Sequence, residues 1–95
     1  MFVILLKFGA NKAIAGDFME AHKAWIKQGF DDGVFAMVGS LKPNLGGGLL
    51  AMGESREEIE ARVQADPFVA EGIVEAEILE IDPARADDRL AFLAA

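Results

Sequence analysis

The chain has 95 residues, no cysteine and a formal net charge of −7, and 53% of its residues are hydrophobic. This length indicates one domain, the hydrophobic content excludes a disordered chain, and the lack of cysteine excludes disulfides, a thiolate nucleophile and zinc–thiolate sites. The negative charge disfavours nucleic acid and anionic membranes as partners, and the single histidine, His22, argues against a multi-histidine metal site.

The same features bear on localisation and cofactors. No apolar run approaches the roughly 20 residues that span a bilayer. The apolar start MFVILLKFGA lacks a basic leader and is interrupted by Lys7, which favours a strand over a signal peptide. A chain without cysteine suits a reducing compartment, so we predict a cytoplasmic protein, with no metal and no cofactor.

The first part of the chain predicts a strand, a helix and a second strand. Phe2 to Phe8 is rich in β-branched and aromatic residues and ends at a glycine. Asp17 is predicted to begin a helix, with Glu20 as its capping-box partner, and Gly33 to end it before a strand over 34–39. The helix carries an inward stripe at helical spacing: Phe18, His22, Trp25, Ile26 and Gly29.

A hairpin is predicted next. Residues 42–47 contain Pro43 and Asn44 and are predicted to form a turn, followed by a third strand over 48–52 that pairs with the second. The run Gly46-Gly47-Gly48 lacks the lysine–hydroxyl pair of a phosphate loop and leads into a strand, so it is interpreted as a flexible hairpin loop.

The remaining elements are a helix, a short turn and a strand. Ser55 and Glu58 form a capping box that opens a helix through about Ala65. Asp66 before Pro67 indicates a cap and a short extra turn through Val69. A fourth strand is predicted over 74–81. Pro83 ends it, and the tail is predicted to form a short helix with one apolar side, made of Ala86, Leu90 and Leu93.

The order βαββαβ predicts an α+β fold of the ferredoxin-like class. Right-handed crossovers place two helices on one face of a four-stranded antiparallel sheet. We assign residues 1–83 to this domain and residues 84–95 to a C-terminal tail.

The strands are apolar on both faces, although the helices cover only one. In the first strand the apolar set Phe2, Ile4, Leu6 and Phe8 alternates with Val3 and Leu5. In the second strand alternation places Val34, Ala36 and Val38 opposite Phe35 and Met37. An uncovered apolar face predicts a homodimer, in which a second copy covers it. The alternative is that the tail alone covers this face.

Two residues are candidates for acid–base chemistry. His22 lies on the inward stripe of the first helix, and Asp66 continues the inward stripe of Ile59 and Val63 if the second helix extends that far. A carboxylate beside an imidazole fixes its tautomer and favours its cation, which suits a general acid–base pair. The alternatives are a core histidine hydrogen-bonded to backbone, and an aspartate that only caps a helix.

Three sequence segments together resemble the YCII-related family. They are His22-Lys23-Ala24-Trp25, Gly39-Ser40 after the second strand, and Ala65-Asp66-Pro67-Phe68, and the likeness covers about residues 1–82. The resemblance implies a dimeric α/β barrel of ferredoxin-like subunits. It also implies a proposed active site built on a His–Asp pair, at His22 and Asp66, with a small polar residue nearby, at Ser40.

Two functions are compatible with these observations. The first is a cofactor-independent enzyme in which His22 moves a proton, Asp66 orients its ring and Ser40 binds a polar group of a small organic substrate. The resemblance implies lyase-like elimination or isomerisation, and hydrolysis is also compatible. The second is a non-catalytic dimer that binds or senses a small molecule, because the fold alone does not choose between them.

Overall fold

A computed structural model of the chain describes residues 1–93 as four strands, three α-helices and two short 3₁₀ helices. In chain order the strands and α-helices are β1 (Phe2–Phe8), α1 (Ala15–Asp31), β2 (Phe35–Leu41), β3 (Gly46–Ala51), α2 (Arg56–Gln64), α3 (Pro67–Ala70) and β4 (Val74–Glu80). No helix in this part of the chain is long and apolar enough to cross a membrane.

The strands form one antiparallel sheet in the order β2-β3-β1-β4. The predicted α+β, ferredoxin-like fold is therefore confirmed. Alternate residues of β1, namely Phe2, Ile4 and Leu6, are buried against the helices, together with Ile59 and Val63 of α2. Since side chains alternate along a strand, this pattern assigns one face of the sheet to the core.

Helix α1 begins at Ala15, so the predicted start at Asp17 is wrong. A 3₁₀ turn over Lys12–Ile14 leads directly into the helix, and its N-cap residue Ile14 makes no side-chain capping bond. The preceding turn already winds the backbone, because Ile14 N–H donates to Asn11 O at 3.1 Å. Asp17 lies in the first turn instead, where its negative charge is favourable to the helix dipole.

Strand β2 contains a β-bulge. Phe35 pairs with Ala51 and Val38 pairs with Leu49, and the register shifts between Phe35 and Met37. Ala51 and Leu49 are both buried in the core, so Phe35 and Val38 are both on the helix-facing side. The predicted opposite orientation of these two residues is wrong, because the bulge inserts one unpaired residue and reverses the alternation after it.

The glycine run lies in strand β3 and not in the hairpin loop, which corrects the sequence interpretation. Gly46 pairs with Leu41 and Lys7, and Gly47 pairs with Ser40 and Leu6. Glycine has a low strand propensity, but ladders to strands on both sides hold the backbone extended here.

The second half of the chain follows its local signals, apart from the tail. Ser55 and Glu58 form the expected capping box of α2, and Asp66 caps α3, where Pro67 is the first residue. The short helix predicted in the tail is present over Asp88–Leu93, but as a 3₁₀ helix with a kink at Leu90. A segment this short makes too few hydrogen bonds to hold a regular α-helix. Residues 94 and 95 of the tail lie outside the described residues. The domain boundary at residue 83 stays a prediction.

The sheet face away from the helices carries a continuous apolar row across all four strands. Met37 pairs with Leu50, Leu50 with Val3, and Val3 with Leu79. Met37 is 52% exposed and Leu79 is 44% exposed. We refer to Met37, Leu50, Val3 and Leu79 as the open-face row.

Any side chain at Gly29 of α1 is expected to lower the stability of the fold. A Cβ there would lie 2.1 Å from Cδ2 of the buried Phe35, whose ring packs against Trp25. Gly29→Ala is therefore expected to lower the free energy of unfolding by about 1–3 kcal/mol, as overpacking does. Gly16→Ala, where a Cβ meets nothing within 4 Å, is the control and is expected to raise it by up to about 1 kcal/mol. Urea denaturation measures both, and equal stability of the two variants would contradict this packing.

The dimer remains a prediction, and the open-face row supplies its test. Met37→Glu places a charge on an exposed position of this row and is expected to convert a dimeric wild type to monomer, because a buried unpaired carboxylate disfavours association. Ala61→Glu, on the exposed side of α2, is the matched control. Analytical ultracentrifugation measures the masses, and a wild type that is monomeric at every concentration contradicts the predicted homodimer.

Candidate active site

A cavity of about 340 Å³ lies between helix α1 and the sheet. Its polar side chains are those of His22, Lys23 and Ser40, and its other walls are largely apolar. The apolar residues that line it, apart from glycines, are Leu6, Phe8, Met19, Ile26, Val38, Leu49, Phe68 and Val74. The structure therefore brings His22 and Ser40 to one cavity, although the chain places them on different elements.

His22 is held by Asp66. Its Nδ1 lies 2.7 Å from Asp66 Oδ1, and the side chains are 14% and 0% exposed. An ionised carboxylate can only accept hydrogen bonds, so Nδ1 carries the hydrogen of this bond. In the neutral ring, Nε2 is then the unprotonated nitrogen. Asp66 is not among the residues that line the cavity, so the bond to Asp66 leaves Nε2 as the nitrogen available to a ligand.

Asp66 reaches this position from the connection between two helices. Helix α2 ends at Gln64, so Asp66 is not part of the α2 stripe as the sequence suggested. It caps α3 instead: its Oδ1 accepts the Phe68 N–H at 3.0 Å in addition to the His22 bond. One oxygen therefore both starts a helix and orients an imidazole. The other oxygen, Oδ2, is buried and has no hydrogen-bond partner in the described part of the chain.

Phe68 is a site residue to which the sequence reasoning gave no role. Its ring stacks on the His22 ring with centroids 3.9 Å apart and planes 1° apart. The stack fixes the ring plane, while Asp66 fixes the rotation within that plane. The Asp66-Pro67 cap marks where α3 begins, but the stack of Phe68 on His22 depends on the packing of α3 against α1, which the sequence pattern does not give.

Arg62 of α2 makes hydrogen bonds that connect α2 to α1. Its guanidinium donates to Glu54 at 2.8 and 3.0 Å and to Asp32 at 3.0 Å, while its backbone oxygen accepts from Trp25 Nε1 at 2.9 Å. The hydrogen bonds to Glu54, and then the one to Asp32, raise the pKa of Arg62 above its usual range. The side chain is only 18% exposed, and these contacts connect α1 and its C-terminal end to α2.

The described residues contain no group of three or more side chains arranged to hold a metal ion. What the arrangement offers is one imidazole, oriented from behind by a carboxylate, on the wall of a mostly apolar cavity. Such a group can take or give a proton at Nε2.

Comparison with known proteins identifies the family. The YCII-related domain model matches residues 1–82. The chain belongs to the YCII-related family. A search of curated proteins found no match. The fold of this family member is similar to that of 5-chloro-2-hydroxyhydroquinone dehydrochlorinase from Burkholderia phenoliruptrix, solved in complex with 2,5-dihydroxybenzoquinone. The TM-score is 0.68 at 18% sequence identity, over 85% of this chain and 93% of that one.

The tautomer of His22 provides a test of the site geometry. Because Nδ1 donates to Asp66, neutral His22 is expected to carry its proton on Nδ1, whereas an imidazole free of such a partner can also carry it on Nε2. The ¹⁵N chemical shifts of the ring nitrogens measure this directly, since His22 is the only histidine. In Asp66→Ala the Nε2-protonated form is expected to rise. A wild type protonated mainly on Nε2 would contradict the hydrogen bond.

Proposed function

We propose that the protein is a cofactor-independent enzyme of lyase type that uses His22 to move a proton on a small organic substrate. The observation that carries this proposal is the imidazole on the cavity wall, bound through Nδ1 to the buried Asp66. A structural histidine would be sealed in the core, whereas His22 retains 14% of its side-chain exposure and lines an open cavity. The exposure of His22 in the cavity supports a catalytic role over a purely structural one for the His22–Asp66 pair.

In the proposed reaction, His22 Nε2 removes a proton from the substrate. The electron pair of the broken bond forms a double bond, and the leaving group departs with its own bonding pair. The imidazolium formed in this step lies beside the Asp66 carboxylate, whose charge stabilises it and whose position orients it. A carboxylate buried at 0% exposure interacts with the cation through little water, so this stabilisation is screened less than at a surface.

The remaining polar side chains of the cavity are proposed to bind the substrate. Ser40 is proposed to hold a polar group through its hydroxyl, and Lys23, the charged side chain of the lining, to favour negative charge that develops there. The solved structure with a similar fold is a dehydrochlorinase in complex with a dihydroxybenzoquinone, and its name supports elimination from a ring compound as the class of reaction to test.

Substitution of His22 tests the proposal. With chlorinated hydroquinones such as 5-chloro-2-hydroxyhydroquinone as substrates, His22→Ala is expected to lower kcat by about 10²–10⁴-fold, the usual contribution of a general acid–base group. Chloride release measures turnover. Lys27→Ala removes an exposed lysine of α1 that pairs with Asp31, and this control is expected to leave kcat unchanged. Full turnover by His22→Ala would overturn the proposed role.

Asp66→Asn separates the chemistry from the folding role of the same residue. The amide oxygen of asparagine can still accept the Phe68 N–H that caps α3, but its neutral side chain cannot stabilise an imidazolium. This variant is expected to keep its fold, seen by circular dichroism, and to lose at least about tenfold in kcat. A variant with unchanged kcat would show that the Asp66 charge plays no part in the reaction.

A further inference from the structure

The three adjacent glycines of β3 differ in whether the backbone requires glycine. Gly46 has a φ of 134°, and a Cβ there would lie 1.9 Å from Leu6 O, so the backbone itself demands glycine. Gly48 pairs with Leu5 and with Gly39, and a Cβ on it would meet the Leu41 side chain at 3.5 Å, an ordinary contact.

Gly47 is also not required to be glycine, either by its backbone conformation or by close contacts. Its φ is not in the left-handed region, and the nearest atom to a Cβ would be Gly39 O at 3.5 Å. Its cross-strand partners are Leu6 and Ser40, and both of their side chains line the cavity. Directly paired residues present their side chains on the same face of a sheet, so a side chain at position 47 would extend into the cavity below His22.

We propose that Gly47 is a specificity-determining residue, whose missing side chain gives the cavity the depth to admit a planar ring compound with a hydroxyl group. An apolar cavity of about 150 Å³ is enough to bind benzene. The volume here is about 340 Å³, which admits one ring with substituents or two fused rings. Extended strand backbone forms the floor at Gly47, and the hydroxyl is placed where His22 and Ser40 lie.

This inference rests on the proposed function, because it treats the ring compound as the substrate of the same site, but its test is a binding measurement. The probes are phenol and 2-naphthol, which share the hydroxyl and differ by one ring. Binding to the full chain is measured by the NMR signals of the His22 ring and by the fluorescence of Trp25, the only tryptophan, whose ring centroid lies 6.0 Å from that of His22.

The wild type is expected to bind both probes. In Gly47→Val, which suits a strand, the Kd of 2-naphthol is expected to rise at least tenfold relative to that of phenol, since the added branches occupy the floor. Gly47→Ala adds one carbon and is expected to raise the same ratio at least threefold, so it carries the test if the valine variant does not fold. Gly48→Ala, the next residue with its Cβ on the other face, is the matched control and is expected to leave the ratio unchanged.

A ratio unchanged in both Gly47 variants, an equal change in Gly48→Ala, or a wild type that does not bind both probes overturns the proposal. The two proposals fail separately. If the variants discriminate the probes as expected but His22→Ala keeps full turnover, only the proposed function is lost. If His22→Ala abolishes turnover and the ratio is unchanged, only the role of Gly47 is lost.

Discussion

A single carboxylate oxygen connects the fold of this protein to its candidate site. Asp66 Oδ1 accepts the ring hydrogen of His22 and the amide hydrogen of Phe68, and it does so with the residue fully buried. Burying a carboxylate is unfavourable unless its hydrogen bonds are made, and these two bonds offset part of that cost, while Oδ2 has no partner in the described part of the chain. The same contacts place Phe68 beneath the imidazole, so the start of α3, the ring orientation and the stack depend on one another.

Much of the fold could be predicted because its signals are local. Ser55 with Glu58, and Asp66 with Pro67, each define a helix start within four residues, and both starts are found as expected. The start of α1 could not be found this way, since Asp17 has the right residue type while the preceding 3₁₀ turn decides the boundary. The bulge in β2 and the pairing of Gly46 and Gly47 depend on how the strands pair with one another, including with β1 about 40 residues away, and not on residues within one turn.

In the candidate site, too, some features have a local signal in the sequence and others depend on packing between elements. His22 and Asp66 are 44 residues apart, yet each has a local mark, the inward stripe for one and the cap before proline for the other, and the topology brings them to 2.7 Å. The position of Asp66 in the fold differs from the one expected, because Asp66 lies in the connection between α2 and α3 and not on the inward stripe of α2. The Phe68 stack and the depth at Gly47 are properties of packed neighbours, so periodicity alone does not reveal them.

The bulge in β2 marks a position at which this strand can change in length without changing the cavity. Phe35 and Met37 pair with Ala51 and Leu50, which are adjacent in β3, so the residue between them has no partner. A homologue that lacks this residue can pair its flanking residues regularly, and Ser40 stays opposite Gly47 on the cavity side of the sheet. A deletion after the bulge, with the bulge kept, would instead move the hydroxyl to the opposite face, because side chains alternate along a strand. Changes of length at these two places therefore have opposite consequences for which polar groups meet a ligand.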